Sequence, residues 1–274
     1  MHGQHLLSLA FLTVQGCPPV EHVKCAAAAG YDAAGLRLIA PHGLALAHPI
    51  VGDRPLIREI RTVAADLGIS FLDGEVFTLL PDTDVEAWLP VIETAGEFGM
   101  PIMQITCEDP ELSRAADNLA RIADAAADHG IKMAIEFMRW RNAATIEDAA
   151  RLATASGRGN VGILLDALHL SRSGGSPAAV AALPQDLVLY LQLCDAPAEQ
   201  PADNAACIAE ARGARMLPGD GGLWLEELMA LLPASIAISV ETPHKGDSEL
   251  GFLEKARKGM TATRAFLDAL PGRS

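Results

Sequence analysis

The sequence predicts an α/β fold, a single closed (β/α)8 barrel. Short apolar runs typical of β-strands alternate along the chain with longer segments of helical periodicity. Such alternation indicates parallel strands joined by right-handed crossovers. Eight strand–helix units fit the roughly 250 residues of a barrel of this kind. No G-x-G-x-x-G motif follows the first strand to support a dinucleotide fold, although an open doubly wound sheet stays the alternative.

Eight strands are predicted from the apolar runs. Several runs are nearly continuous in apolar residues, as strands buried on both faces should be. In chain order, the predicted strands are Leu6–Thr13, Ala34–Ile39, Ile69–Phe77, Ile102–Thr106, Met133–Phe137, Val161–Asp166, Val188–Leu193 and Ile236–Val240.

The segments between the strands carry helical patterns and helix-end signals. Apolar residues recur at steps of three and four from Leu253 to Leu270, which predicts an amphipathic C-terminal helix. Pro177 is typical of a residue just inside a helix start, and a further helix is expected from Leu223 to Leu232. Glycine is a common helix terminator, and four glycines directly follow helical segments: Gly30, Gly68, Gly99 and Gly130.

No domain boundary is visible, so residues 1–274 are expected to form a single barrel domain. One long irregular stretch, 195–222, lies between predicted strands seven and eight and is rich in Ala, Pro and Gly. A loop of this length in a compact domain is more often a lid or a binding loop than a linker. The stretch is therefore expected to border a functional site.

Composition narrows the function classes. The formal net charge is −14, from 21 basic and 35 acidic residues, and this disfavours nucleic acid as a partner. No apolar stretch reaches the roughly 20 residues of a membrane span. The five cysteines are an odd number without C-x-x-C spacing, which suits a reducing compartment. A cytoplasmic protein acting on a small molecule is expected, and a homo-oligomer is left open.

Polar residues interrupt the apolar pattern at the ends of the last four predicted strands. Glu136, Asp166, Gln192 and Glu241 each lie within or at the end of an apolar run, and His169 follows Asp166 by three residues. In a barrel these strand ends meet at one mouth, where active sites lie. Buried carboxylates are costly unless paired or metal-bound. Because converging carboxylates would also repel one another, the pattern favours a divalent cation.

Each residue has a simpler structural interpretation when taken alone. Glu136 could pair with Arg139 or Arg141, Asp166 could cap the following segment, His169 could be a structural histidine, and Glu241 could pair with Lys245. Glu75 and Arg37 lie on predicted strands three and two; they either point into the same mouth or form an internal salt bridge. The set of four strand ends, more than any one member, supports a metal site.

These segments resemble the xylose-isomerase-like TIM-barrel superfamily, which includes sugar phosphate isomerases and epimerases and the AP endonuclease family 2. The resemblance spans most of the chain, with the motifs in the expected order. The matching segments are Ile135-Glu136-Phe137-Met138, Leu165-Asp166-Ala167-Leu168-His169-Leu170, Leu191-Gln192-Leu193-Cys194-Asp195-Ala196-Pro197, Leu217-Pro218-Gly219-Asp220-Gly221 and Ser239-Val240-Glu241-Thr242-Pro243.

The resemblance implies that Glu136, Asp166, Gln192 and Glu241 bind one divalent metal ion and that His169 contacts the substrate. An all-oxygen ligand set suits Mn²⁺ or Mg²⁺ better than Zn²⁺, which is also possible.

The substrate-binding set is expected to include Glu75, Arg139 and Arg141 besides His169. Sugar epimerases of this group often carry a substrate-binding Glu six residues after the first ligand, whereas Asn142 stands there in this chain. This departure indicates a more anionic substrate, whose carboxylate or phosphate the two arginines could bind; solvent-facing residues at a helix start are the alternative.

The chain is therefore expected to be a divalent-metal-dependent isomerase or epimerase of a sugar, keto-sugar or polyol-derived substrate. The expected reaction passes through a metal-stabilised ene-diolate, with Glu136 and Glu241 as the catalytic residues. The alternative is a metal-dependent dehydratase of a cyclic polyol ketone or hydroxy acid, in which the same proton removal leads to loss of a hydroxyl. A non-catalytic ligand-binding barrel is a remote alternative. An apurinic-DNA endonuclease is disfavoured because it needs a histidine-rich site and a basic face.

Overall fold

Eight parallel strands close a barrel in chain order, β1 to β8, in the computed structural model, which describes residues 5–41 and 44–271. The predicted closed barrel is confirmed, and β1 pairs with β8 to close it. The strands are β1 Leu7–Leu9, β2 Ala33–Arg37, β3 Ser70–Leu79, β4 Ile102–Cys107, β5 Lys132–Glu136, β6 Val161–Asp166, β7 Val188–Leu193 and β8 Ile238–Val240.

Ten α-helices occur in the described part of the chain and surround the barrel. None of them is long and apolar enough to cross a membrane. They are α1 Pro19–Ala29, α2 Arg54–Leu67, α3 Leu89–Phe98, α4 Leu112–Ala127, α5 Ile146–Ser156, α6 Ala167–Arg172, α7 Pro177–Ala181, α8 Asn204–Gly213, α9 Leu225–Leu231 and α10 Phe252–Ala269.

The helix ends follow local chemistry. The Thr145 side chain accepts from the Asp148 backbone N–H while the Asp148 carboxylate accepts from the Thr145 N–H, a capping box that begins α5. Gly68 ends α2 at a φ of 71°, a left-handed conformation that glycine adopts without a side-chain clash. The predicted helix starting at Pro177 and the predicted C-terminal helix are both present as α7 and α10.

The first strand is shorter than the prediction Leu6–Thr13. It ends at Leu9, and Phe11–Val14 forms a 3-10 turn. The cause lies in Thr13, whose hydroxyl donates to the Val240 carbonyl at 2.8 Å and accepts from the Thr242 N–H at 2.9 Å. The apolar run continues past Leu9 in the sequence, but these two hydrogen bonds hold Phe11–Val14 against the end of β8 instead of in an extended β1.

The stretch 195–222 is not the irregular loop that the sequence predicts. It contains α8, and its two arms pair at Asp195 and Met216. The Asp195 carboxylate accepts backbone N–H bonds from Gly219 and Gly221 at 3.1 and 3.0 Å, which fixes the second arm. The stretch is therefore a folded element, and its residues Ala211, Arg212 and Arg215 line the cavity at the barrel mouth.

A polar layer lies inside the barrel beneath the mouth. Asp73 on β3 is fully buried and accepts from the Gln104 amide at 2.5 Å and from the Tyr190 hydroxyl at 3.0 Å. Burial, with the nearby Glu75 charge, raises the pKa of Asp73 to about 7. A Cβ on Gly35 would lie 2.5 Å from Asp73 Oδ1, so glycine leaves the room that this carboxyl occupies.

Candidate active site

The structure brings the four predicted strand-end residues together at the barrel mouth. Glu136 and Asp166 are the last residues of β5 and β6, Gln192 lies in β7, and Glu241 directly follows β8. Strand register places Asp166 opposite Gln192 and Gln192 opposite Ser239. All four side chains are buried, between 0 and 7% exposed. The site therefore has the composition expected from the sequence.

His169 joins two of the carboxylates. Asp166 caps α6 by accepting from the His169 backbone N–H at 2.9 Å, so the short turn places the imidazole beside the strand ends. Its Nε2 lies 3.5 Å from Glu136 Oε1 and 3.9 Å from Asp166 Oδ2. One ligand atom from each of Glu136, Asp166 and His169 lies within 4.8 Å of the others. The Trp140 ring packs edge-on against the imidazole at 5.3 Å.

Gln192 carries an oxygen that lacks a protein partner. Its Nε2 donates to Glu241 Oε1 at 3.4 Å, but no described residue donates to its buried Oε1. A buried amide oxygen without a hydrogen bond is uncommon and requires an explanation such as an ion. Carboxylate and amide oxygens are the ligands that Mg²⁺ and Mn²⁺ prefer, and the imidazole also suits Zn²⁺. The donor set therefore fits a divalent cation.

Arg215 is a site residue that the sequence analysis missed. It is buried between two of the predicted ligands, with Nη1 2.6 Å from Asp166 Oδ2 and Nη2 2.8 Å from Glu241 Oε2. Its Nε donates to the Ala211 carbonyl at 2.9 Å, which ties the guanidinium to α8. One feature of the sequence could have indicated Arg215: it lies two residues before Leu217-Pro218-Gly219-Asp220-Gly221, a segment that carries the family resemblance.

The electrostatics of the site are dominated by crowded carboxylates. Burial raises the pKa of Glu241 well above its usual range, and the neighbouring Asp166, Glu75 and Glu136 charges raise it further against the opposing effect of Arg215. For Asp166, the effect of burial is outweighed by the positive charge of Arg215 and by hydrogen bonds from the Arg215 guanidinium and the His169 backbone N–H, so the pKa of Asp166 is lowered. A bound divalent cation would reduce the mutual repulsion of these groups.

The simpler pairings considered for Glu136 and Glu241 are not formed. Glu241 pairs with Arg215 instead of Lys245. Arg141 forms an ion pair with Glu108.

Arg139 is not among the described residues that line the cavity at the mouth. Its Nη1 lies 3.5 Å from the Pro201 carbonyl and 3.4 Å from Cys207 Sγ, away from the strand ends. Glu75 and Arg37 both line the cavity and form an ion pair with each other. The pair therefore points into the mouth and also forms the internal salt bridge, the two alternatives that the sequence left open.

The cavity at the mouth has a volume of about 180 Å³. Its lining includes three glutamates, Glu75, Glu136 and Glu241, and four arginines, Arg37, Arg141, Arg212 and Arg215. A second, more apolar cavity of about 230 Å³ adjoins it and shares Gln15, Arg37, Pro41 and Leu44. The site thus combines an acidic, metal-fitting centre with basic side chains.

Curated relatives of known activity cover most of the chain. A 3-dehydroshikimate dehydratase of Pseudomonas aeruginosa is 28% identical over 243 residues, 83% of this chain and 36% of the relative. A second 3-dehydroshikimate dehydratase, from Pseudomonas putida, is 24% identical over 204 residues, 69% of this chain and 30% of the relative. The chain therefore spans about a third of the length of the curated relatives it matches.

Solved structures share the fold over nearly the whole chain. IolI with a bound zinc atom has a TM-score of 0.79 at 16% identity, covering 97% of this chain and 99% of IolI. AsbF of Bacillus anthracis, a probable 3-DHS dehydratase, has a TM-score of 0.72 at 14% identity over 94% of this chain and 98% of its own. A D-allulose 3-epimerase of Methylomonas sp. has a TM-score of 0.70 at 16% identity over 96% and 97%.

The family model for xylose isomerase-like TIM barrels matches residues 23–269, from the first helix to the end of the last. The match includes the four strand ends that form the site, and it agrees with the fold of the structural neighbours. The chain therefore belongs to the xylose isomerase-like TIM barrel family.

Proposed function

We propose that the chain is a divalent-metal-dependent dehydratase of a cyclic hydroxy ketone that carries a carboxylate, with 3-dehydroshikimate the first substrate to test. The observation that carries the proposal is the buried donor set around the unpartnered Gln192 oxygen. The curated relatives, both 3-dehydroshikimate dehydratases, favour dehydration over the isomerisation or epimerisation expected first from the sequence. The epimerase neighbour shares the fold at 16% identity.

A further observation weighs against a ketose epimerase. Asn142 occupies the position where the resembling epimerases carry a substrate-binding Glu. Its side chain is exposed and donates to the Glu108 carbonyl at 2.6 Å, and it is not among the described residues lining the cavity. The chain therefore has no acidic group at this position to orient a sugar.

The metal would be held by Glu136, Asp166, Gln192 and Glu241, with His169 close enough to contribute. When bound, a divalent cation supplies a Lewis acid that polarises a substrate carbonyl and stabilises negative charge developing on its oxygen. The zinc atom bound in IolI, a protein of the same fold, supports a divalent cation in this chain as well. We propose Mn²⁺ or Mg²⁺ from the oxygen-rich donors, with Zn²⁺ as the competing ion.

Glu136 is the better placed general base. Both oxygens of Glu241 are engaged, one by the Gln192 amide and one by Arg215. No described arginine or lysine pairs with Glu136, whose neighbour in the site is His169. Glu136 would remove the proton from the carbon between the ketone and the leaving hydroxyl. The electron pair of that C–H bond then forms the new double bond.

His169 is the proposed acid for the leaving group. Its Nδ1 is buried without a partner among the described residues, and its Nε2 faces Glu136. Protonation of the β-hydroxyl by His169 lets it leave as water. Because Glu136 takes the proton from the neighbouring carbon, the substrate loses one molecule of water in all. For 3-dehydroshikimate the product then tautomerises to the aromatic 3,4-dihydroxybenzoate.

The experiment is an ultraviolet assay for this aromatic product with protein loaded with Mn²⁺ or Mg²⁺. Glu136→Gln should lower kcat by about 10²- to 10⁴-fold because it removes the base. Glu226→Gln, on the exposed face of α9, is the matched control and should keep full activity. Epimerisation or isomerisation of ketoses without any dehydration would refute the dehydratase and return the function to the one first expected.

A further inference from the structure

The cavity wall includes two arginines that the proposed chemistry does not use and that pair with no acidic residue of the wall. Of the four arginines there, Arg215 is committed to Asp166 and Glu241. Arg37 pairs with Glu75 and lies over the Phe11 ring at 4.3 Å. The remaining two, Arg141 and Arg212, reach the cavity from the turn after β5 and from the last turn of α8.

Arg141 is held in a fixed turn. Its backbone N–H donates to the Met138 carbonyl at 2.8 Å, and the next N–H, of Asn142, donates to the Cys107 carbonyl at the end of β4 at 3.0 Å. Its guanidinium forms an ion pair with Glu108, while its buried Nε has no acceptor among the described residues. The guanidinium therefore has hydrogen-bonding capacity that Glu108 does not fill.

Arg212 adds a second positive charge to the same wall. Burial lowers the pKa of the Arg141 guanidinium, and the positive charge of Arg212 lowers it further, so the two groups are electrostatic neighbours. Arg212 forms no ion pair with any residue in the described ranges 5–41 and 44–271. Arg212 is exposed at the edge of the cavity. Among the described residues, Glu108 is the one acidic partner of these two guanidiniums, so one of the two positive charges is left unpaired.

We infer that Arg141 and Arg212 form a carboxylate-binding subsite that orients an anionic substrate toward the strand-end carboxylates. The inference rests on the proposed function, and it names the residues that select the acid group of the substrate. Arginine suits this role because its planar donors bind a carboxylate through two parallel hydrogen bonds. The subsite would distinguish a carboxylated ring from a neutral ketose, which offers these arginines no charge to pair with.

Binding of two related probes tests the subsite apart from turnover. The probes are 3,4-dihydroxybenzoate and catechol, which share the same diol and differ in the carboxylate. Calorimetric titration of metal-loaded wild-type protein should give at least tenfold tighter binding of the carboxylated probe. Arg141→Gln and Arg212→Gln should each weaken that probe by about 5- to 50-fold, with the Kd of catechol unchanged. Arg158→Gln, in an exposed pair with Asp124, is the control.

The outcomes separate the two proposals. If the arginine variants lose the preference for 3,4-dihydroxybenzoate over catechol, this result supports the subsite even if the protein does not dehydrate 3-dehydroshikimate. Dehydration with unchanged discrimination in both variants would refute the subsite and leave the proposed function standing. A wild-type protein that does not favour the carboxylated probe also refutes it. Arg141→Lys retains the charge without the paired donors and should recover part of the binding if Arg141→Gln folds poorly.

Discussion

Replacing Arg215 with methionine tests how the site balances its buried charges. The substitution removes the guanidinium that lies 2.6 Å from Asp166 and 2.8 Å from Glu241. Both buried carboxylates then lose their positively charged partner. Removing one partner of a buried ion pair typically costs about 3–5 kcal/mol. For a chain of 274 residues this loss lowers Tm by about 5–9 °C. The loss should be largest in chelator, because a bound cation offers the carboxylates another positive charge.

The assay is thermal and urea unfolding of wild-type protein and Arg215→Met, each in EDTA and in saturating Mn²⁺. The expected result is a large deficit in EDTA that shrinks in Mn²⁺. Arg158→Met removes an exposed ion pair with Asp124 and should change stability by less than about 1 kcal/mol. A variant as stable as the wild type in EDTA, or a deficit equal in both conditions, would refute this account of the site.

Two further predictions concern the polar layer beneath the mouth. Asp73, whose pKa is raised to about 7, holds a proton in the folded protein that the unfolded chain has lost, so stability should fall by up to about 4 kcal/mol as pH rises from 4 to 7. Asp73→Asn should flatten that slope in urea titrations at pH 5 and 8, and an unchanged slope would contradict the argument. Gly35→Ala places a Cβ against Asp73 Oδ1 and should lower stability by about 1–3 kcal/mol, whereas Gly159→Ala, which meets nothing within 4 Å, should not. Equal urea midpoints for the two alanine variants would show that the space beside Asp73 is not needed.

The strand ends of the site were predictable because local pattern and topology act together. Glu136, Asp166 and Glu241 each close an apolar run, and parallel strands in a closed barrel bring such ends to one mouth. No other information was needed to expect them together. The neutral amide of Gln192 is a weaker indicator of a metal site than a buried carboxylate. Its role depends on the unpartnered oxygen that only the structure reveals.

The arginines of the site were harder to predict. Helix α8 buries few side chains, so its sequence lacks the apolar stripe that is typical of a helix. The composition of 195–222 therefore predicts a loop. The side chain of Arg215 lies between Asp166 and Glu241, 49 and 26 residues away in the sequence, and no local pattern specifies such a contact. Arg139 and Arg141 are two residues apart, yet the turn after β5 directs only Arg141 to the cavity. Side-chain direction in turns depends on tertiary contacts, such as the hydrogen bond from the Asn142 N–H to the Cys107 carbonyl.

The central claim is a single divalent-cation site at the ends of β5 to β8, and metal content tests it most directly. The measurement is elemental analysis of protein purified without chelator, followed by Mn²⁺ titration of the chelator-treated protein. The account predicts one ion per chain in the wild type and at least tenfold weaker Mn²⁺ binding in Gln192→Leu, which removes the unpartnered oxygen. Protein that carries no metal and binds none of Mn²⁺, Mg²⁺ or Zn²⁺ would contradict it.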